Sequence, residues 1–315
     1  MTPKLLIITG PTATGKTDLG IKLAKRFNGE LIACDSRQVY LGLDLGTGKY
    51  PERFESLQKL PGQWIVDGVS IHGYDLINPT SSYNVVRYVA FVKKVLRNIT
   101  DKNKLPIIVG GTGLYLKALL SGIEDSSPPD LKLRQDLATL NIEQLQEKLK
   151  TLNKEALVLM NESDSKNPRR LARAIEKALD GNTQTKILGI EKDYDVFKII
   201  LTAPLAYLYE RVDKRVASRM EQGMLAEARE LNEKILSLPR MKQLGLEYGI
   251  MADYLSGVIT TPTQLEGILK LKIRHFVKRQ QTWFKKEKEG LWVDISKGYL
   301  DRVEKLVGKW YDTKA

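Results

Sequence analysis

A chain of 315 residues, 42% hydrophobic and 28% charged, has the make-up of a globular protein with a sizeable core, and a formal charge of +12 points to an anionic partner. The single cysteine, Cys34, excludes an internal disulfide framework and a cysteine-based zinc site, and two histidines, His72 and His275, are too few for a histidine-rich metal site. No run approaches the roughly 18 apolar residues that span a bilayer and the N-terminus carries no signal pattern, so a cytoplasmic protein with no membrane partner is expected.

The first predicted strand, Lys4-Leu5-Leu6-Ile7-Ile8-Thr9, runs into Gly10-Pro11-Thr12-Ala13-Thr14-Gly15-Lys16-Thr17, and a helical pattern (Leu19, Ile21, Leu23, Ala24, Phe27) follows at once. Strand, G-x-x-x-x-G-K-T and helix in that order are the context of a P-loop. Backbone N–H groups and the helix N-terminus can face phosphate oxygens, Lys16 supplies a point charge, and Thr17 offers a hydroxyl to Mg²⁺. The motif implies a bound diphosphate without specifying a nucleotide.

Glu30 to Cys34 is a second buried strand, ending in Asp35-Ser36-Arg37-Gln38-Val39-Tyr40. Ligands of open parallel sheets sit beyond the carboxyl ends of strands, which places Asp35 beside the P-loop. Residues 42–62 read as loop, with a weak strand at Trp64-Ile65-Val66. A helix is predicted from Tyr83 to about Asn98, and Pro106 to Val109 forms another buried strand before Gly110-Gly111-Thr112. The alternation gives an α/β fold, a doubly wound parallel sheet of the P-loop NTPase-like kind.

The pattern then changes. Residues 126–130 read as a linker, and residues 131–181 show only helical periodicity, broken near 161–167. Asn167 and Pro168 suit an N-cap and a first helical residue, and Gly181 suits a stop. Strand character returns at Val196 to Leu201, and Pro204 opens a long helix with Arg211, Lys214, Arg215 and Arg219. The expected organisation is a P-loop core over residues 1–122 and 195–315 with an all-helical insertion domain over 123–194. Residues 270–288 carry a run of basic residues interleaved with His275, Phe276, Trp283 and Phe284, read as a phosphate-backbone surface with its aromatic residues turned inward. Leu291 to Asp294 is a last short strand.

Asp35 admits three readings from its position: a Mg²⁺ partner, a general base for a nucleophile attacking the carbon attached to the diphosphate, or a cap on the strand end. Gln38 can pair with an adenine edge.

Taken together, Gly10 to Thr17, Asp35 to Tyr40, Gly46-Thr47 with Lys49, Gly110 to Tyr115, Pro168 to Arg173, Arg215 with Arg219-Met220 and Gly223, Gly245 with Glu247, and Lys278 to Phe284 resemble the tRNA dimethylallyltransferases. The resemblance implies transfer of a dimethylallyl group from dimethylallyl diphosphate to the exocyclic amine of the adenosine 3′ of the anticodon, with Mg²⁺ as cofactor. It implies that Gly10, Pro11, Thr12, Ala13, Thr14, Gly15, Lys16 and Thr17 hold the diphosphate and that Thr17 binds the metal. Asp35 would deprotonate the amine, Gln38 hold the extruded base, and Lys16 and Arg219 neutralise the leaving pyrophosphate. The RNA contacts implied are Asp35, Ser36, Arg37, Gln38, Thr112, Pro168, Arg169, Arg170, Arg173, Arg274, Lys278, Arg279 and Gln280, in a monomer gripping the anticodon stem-loop. Ile71, Asn78, Asn167 and Leu246 depart from the family pattern, and the stretch 50–71 is longer than usual. Rival readings are an adenylate prenyltransferase, a P-loop small-molecule kinase, and an RNA-binding protein without catalysis.

Overall fold

The computed structural model describes residues 2–123, 130–180 and 186–313, which form two compact units, Met1–Ser121 with Ile190–Ala315 and Gly122–Gly189. The larger unit begins with β1 (Lys4–Thr9), α1 (Lys16–Arg26), β2 (Gly29–Ala33), β3 (Leu57–Leu60), β4 (Gln63–Val66), β5 (Val69–His72), α2 (Val85–Asp101), β6 (Leu105–Gly110) and α3 (Gly113–Ser121). The smaller unit holds β7 (Gly122–Ile123), α4 (Leu131–Leu137), α5 (Ile142–Leu152), α6 (Lys154–Val158), α7 (Glu162–Ser165), α8 (Pro168–Leu179) and β8 (Ile187–Leu188). The chain then completes the larger unit with β9 (Asp195–Thr202), α9 (Leu205–Glu221), α10 (Met224–Lys234), α11 (Leu238–Gln243), α12 (Leu246–Leu255), α13 (Pro262–Phe284), β10 (Leu291–Asp294) and α14 (Leu300–Asp312).

The sheet order is β10-β9-β1-β6-β2-β5-β4-β3, parallel from β10 to β5 and antiparallel beyond. Leu5 to Ile8 in β1 are wholly buried, as a strand covered on both faces requires, and each side chain contributes about 1.5–3 kcal/mol. Because β6 lies between β1 and β2, the turns after β1, β2 and β6 lie side by side at the carboxyl ends of the central strands, where the strand order reverses. Those strand ends carry Gly10–Thr17, Asp35 and Gly111-Thr112.

The long stretch 50–71 is not all loop. β3 pairs with β4, and β4 with β5, as an antiparallel meander at the sheet edge. β3 (LQKL) is mostly exposed, so its hydrophobic signal is weak; its Lys59 reaches Asp44 at 2.5 Å and stacks over Trp64. Nearby, the Lys49 ammonium is completely buried. It donates to the Tyr40 carbonyl and the Asp44 carboxylate at 2.8 Å and to Asp75, which also accepts from the Trp64 indole at 2.6 Å. A buried ammonium is tolerable only with such full pairing. The cluster fixes the loop 41–50 to the ends of the central strands.

The aromatic residues of α13 do not all turn inward. The stripe that meets the core is aliphatic (Leu265, Leu269, Ile273, Val277) and ends in Phe284, while His275 and Phe276 are exposed and Trp283 is half-buried. The four-residue spacing of the aliphatic stripe decides the helix's rotation.

The smaller unit packs Leu137, Leu145, Leu149, Leu171 and Ile175 as its own core. Asp130, Asn141, Asn153, Asn161 and Asn167 each cap the helix that follows, and Pro168 takes the first helical position of α8. β7 pairs with β8 as a short antiparallel ribbon, and the other regular elements among the smaller unit's described residues are helices. Residues 190–194, expected in the insert, belong to the larger unit. The predicted linker residues 126–129 and the helix stop Gly181 lie outside the described residues.

Candidate active site

The loop after β1 is built from left-handed residues that turn its N–H groups inward: Gly10, Ala13 and Gly15 have φ of 136°, 66° and 75°. Gly10 cannot be replaced, because a Cβ would sit 3.1 Å from the Leu201 carbonyl carbon and against its oxygen. The Thr14 hydroxyl and the Lys16 ammonium both donate to the Pro11 carbonyl, at 2.9 and 2.7 Å. Desolvation in the cleft, reinforced by the Arg215 charge and opposed by Asp35, brings the Lys16 pKa down to about 7. An anion alongside would restore its charge.

The second wall is the turn after β2. Asp35 Oδ1 accepts the Arg37 N–H at 2.8 Å, so the carboxylate does cap the strand end, yet the residue also lines the cleft with Lys16 and Thr17. Desolvation raises its pKa, opposed by the N–H groups of Arg37 and Gln38 and by the charges of Arg37 and Lys16. Thr112 bridges the neighbouring strand ends: its hydroxyl accepts from Ser36 N–H at 3.3 Å and its N–H donates to the Cys34 carbonyl at 3.2 Å. Gln38 donates to the carbonyls of Gly48 and Thr47, at 3.1 and 3.4 Å.

The third wall joins the loop 44–49 to α9. The Glu227 carboxylate receives the N–H groups of Asp44, Leu45 and Gly46 at 2.8–3.2 Å and the Tyr248 hydroxyl at 2.5 Å, which pins the loop from outside. On α9, Arg211, Arg215 and Arg219 recur every four residues and so share one face. Arg211 Nε donates to the Ala13 carbonyl and Arg215 Nη2 to the Thr12 hydroxyl, both at 2.7 Å. Desolvation and the neighbouring Arg219 lower the Arg215 pKa to about 9, and desolvation lowers that of Arg219. Glu247, whose own pKa is raised by desolvation, partly offsets both cations. Arg215 Nε is buried with no hydrogen-bond partner among the described residues. Such a group is free to donate to an acceptor in the cleft.

The cleft between these walls has a volume of about 130 Å³ and opens beside a second cavity of about 370 Å³, with Gly48, Tyr50, Pro51, Glu52, Arg215 and Arg219 common to both. Thr12, Ala13, Gly15, Lys16, Thr17, Asp35, Gln38, Arg219 and Gln280 all line the inner cleft. Gln280, expected to face RNA, has both ends of its amide on the protein backbone: Oε1 accepts from Thr12 N–H at 2.8 Å and Nε2 donates to the Gly111 carbonyl at 3.2 Å. Lys278 and Arg279 are exposed on α13, with Arg279 over the ring of Phe276, whose side chain lines the cleft. Arg274 forms a two-pronged ion pair with Asp213. In the smaller unit Pro168, Arg169 and Arg170 are exposed; Arg170 pairs with Asp164, and Arg173 with Glu176 at 3.0 Å. Of the arginine face on α9 the expected site contains Arg219 alone; the i, i+4, i+8 spacing was the signal for Arg211 and Arg215.

Among the described residues no group of three or more His, Cys, Asp or Glu side chains could hold a metal by itself, and no helix is long and apolar enough to cross a membrane. The hydroxyl of Thr17 and the carboxylates of Asp18 and Asp35 do line one cleft. This is an all-oxygen set that leaves positions for water and phosphate, and it fits Mg²⁺.

Fold and cleft together define a P-loop α/β enzyme. A family model described as IPP transferase matches residues 38–287, and the chain belongs to this family. It is similar to the tRNA dimethylallyltransferase of Lactococcus lactis subsp. lactis, with 37% identity over 305 residues, 95% of this chain and 96% of that protein. The tRNA dimethylallyltransferase of an Exiguobacterium species is 34% identical over 299 residues, 93% and 91% of the two chains. Among solved structures, the full-length tRNA isopentenylpyrophosphate transferase of Bacillus halodurans aligns with a TM-score of 0.70 at 29% identity, covering 98% of this chain and 97% of that one. A eukaryotic dimethylallyltransferase acting on tRNA has the same fold, with a TM-score of 0.78 at 22% identity over 99% and 80% of the chains.

Proposed function

We propose that this enzyme transfers the dimethylallyl group of dimethylallyl diphosphate to the exocyclic N6 amine of the adenosine 3′ of the anticodon in tRNA. The observation that carries the reading is the charge arrangement of the cleft. Lys16, Arg215 and Arg219, all desolvated, converge with the P-loop on one side, and a single turn carrying Asp35 and Gln38 faces them.

In the reaction the N6 lone pair attacks the allylic carbon, the carbon–oxygen bond breaks, and the electron pair leaves on the diphosphate. Charge grows on the diphosphate oxygens as the bond breaks, and preorganised cations in a desolvated site stabilise that charge more than they stabilise the bound donor. The amine must lose a proton as the new bond forms. Asp35 accepts it; desolvation makes its carboxylate a stronger base than an exposed one, and its hydrogen bonds to the turn hold it in place. Thr17, with Asp18 beside it in the cleft, would hold Mg²⁺, which would supply further neutralisation of the diphosphate.

An adenine stacked in a loop cannot reach a carbon inside this cleft, so the base is extruded from its stack, and the Gln38 amide oxygen, its nitrogen being engaged by the Gly48 and Thr47 carbonyls, accepts from the base's amine edge. Thr112 and Ser36, joined by a hydrogen bond at the ends of the neighbouring strands, and Arg37 beside them contact the RNA around the extruded base. Lys278 and Arg279 of α13 and Arg169, Arg170 and Arg173 of the smaller unit contact RNA phosphates, which hold position without reading sequence. Arg274, through its pair with Asp213, stiffens the α13 surface.

Asp35→Asn tests the assignment. Turnover should fall by more than about 10²-fold, the scale of a positioned general base, while RNA affinity is kept. Unchanged turnover would remove Asp35 from the mechanism.

A further inference from the structure

The hydrogen bonds of the P-loop include one that works against its use as a nucleotide site. The donors of such a loop run from the arm leaving the strand, here Thr12, to the first turn of the helix, here Lys16 and Thr17. Two phosphates lie along the helix end of this series. A third must be met by the strand-side arm. In this chain that arm is already engaged, since the Thr12 N–H is donated to Gln280 Oε1 at 2.8 Å and the Thr12 hydroxyl accepts from Arg215 Nη2 at 2.7 Å. Gln280 Nε2 is turned away to the Gly111 carbonyl at 3.2 Å, so the amide closes a bridge from α13 across the mouth of the loop to the turn after β6. The side chain lines the inner cleft with Lys16 and Thr17.

We infer that Gln280 is a specificity-determining residue that restricts the P-loop to diphosphates, by capping the Thr12 N–H on the strand-side arm that would meet a third phosphate. The inference rests on the proposed occupancy of the loop by the donor's diphosphate. In that occupancy the helix end of the loop meets both phosphates, and the Thr12 N–H is not needed by the donor. A nucleoside triphosphate or tripolyphosphate entering the same loop would bring a charged phosphate against a hydrogen-bonded amide that offers it nothing. It would have to break the Thr12–Gln280 bond and leave the glutamine carbonyl facing an anion. Discrimination by an unpaired polar group is far stronger than discrimination by size. The bond joins residues 12 and 280, so no local motif reveals it.

The test is calorimetric binding of inorganic pyrophosphate and of tripolyphosphate, at fixed Mg²⁺, to the full chain and to Gln280→Ala and Gln280→Met. The wild type should prefer pyrophosphate by about tenfold or more, the scale of one hydrogen bond to a charged group. Both variants should gain tripolyphosphate affinity by about that factor and keep pyrophosphate affinity within about threefold. Gln280→Met retains the bulk and loses both hydrogen bonds. If it keeps the wild-type preference, the assignment to the Thr12 N–H is overturned, and this holds even where Gln280→Ala does not fold. If the wild type binds no pyrophosphate, it is the diphosphate reading of the loop that fails, a result distinct from unchanged selectivity in the variants.

Discussion

Replacing Gly48 by alanine should disable the cleft while leaving the fold nearly intact. Gly48 has φ of +69°, and a Cβ there would lie 2.8 Å from Arg219 Cζ and on top of one of its terminal nitrogens. Alanine in this left-handed conformation costs about 1–2 kcal/mol, and a loss of that size lowers Tm by only a few degrees in a protein of this length. The clash falls on the far end of a flexible side chain, so the structure relieves it by moving the guanidinium out of the cleft. In the proposed reaction Arg219 is one of the cations that neutralise the diphosphate, and removing a single donor from developing charge typically costs 10²–10³ in kcat, about 2.7–4 kcal/mol. Gly48→Ala should therefore match Arg219→Ala in turnover, measured as label transferred from dimethylallyl diphosphate to tRNA. The double variant should be no slower than Arg219→Ala alone, because both changes remove the same interaction. Effects that multiply in the double variant, or a Gly48→Ala enzyme with wild-type kcat, would refute the placement of Arg219.

Three further outcomes are expected. Neutralising Lys278 and Arg279 together should weaken RNA binding and flatten the plot of log affinity against log salt by about 0.7–0.9 for each RNA phosphate left without its cation; an unchanged slope in a salt titration would move the RNA surface off α13. Glu30 is nearly buried between His72 (2.7 Å) and Lys104 (2.8 Å); burial pushes its pKa up, but these hydrogen bonds outweigh burial and hold it below the usual 4.5. A carboxylate so depressed stabilises the fold fully above its unfolded value and loses that contribution as pH falls through its folded one. The stability difference between wild type and Glu30→Gln in urea titrations should therefore shrink below pH 4.5, and one that grew with acidification would contradict the pairing. Incubation with ATP and Mg²⁺, with or without tRNA, should release no phosphate above background. Steady hydrolysis would favour the kinase reading.

The parts of the site that rest on local chemistry were legible in the residues. The P-loop, the acidic strand end at Asp35, the glycine turn at Gly110 and the capped start at Asn167-Pro168 each follow from spacing within a few positions. Asn167 even caps α8 with the same side-chain geometry an aspartate would use, so that departure from the family pattern costs the helix nothing visible. What escaped depends on pairings between distant parts of the chain. β3 is an exposed edge strand with little apolar signal, and only its pairing with β4 defines it. The nest of N–H groups around Glu227 links positions some 180 residues apart. Gln280 belongs to a basic, RNA-like run by composition, and only the helix rotation set by Leu269, Ile273 and Val277 turns its amide onto Thr12.

The most direct measurement offers the enzyme two acceptors at once. Purified protein is incubated with Mg²⁺, dimethylallyl diphosphate, unmodified tRNA and AMP, and the nucleosides of each pool are separated and weighed by mass spectrometry. Isopentenyladenosine in the tRNA digest, with AMP unchanged, is the result the account predicts. Prenylated AMP beside untouched tRNA would contradict it: the cleft would then serve a free nucleotide, and the basic face of α13 would be a solvated helix surface.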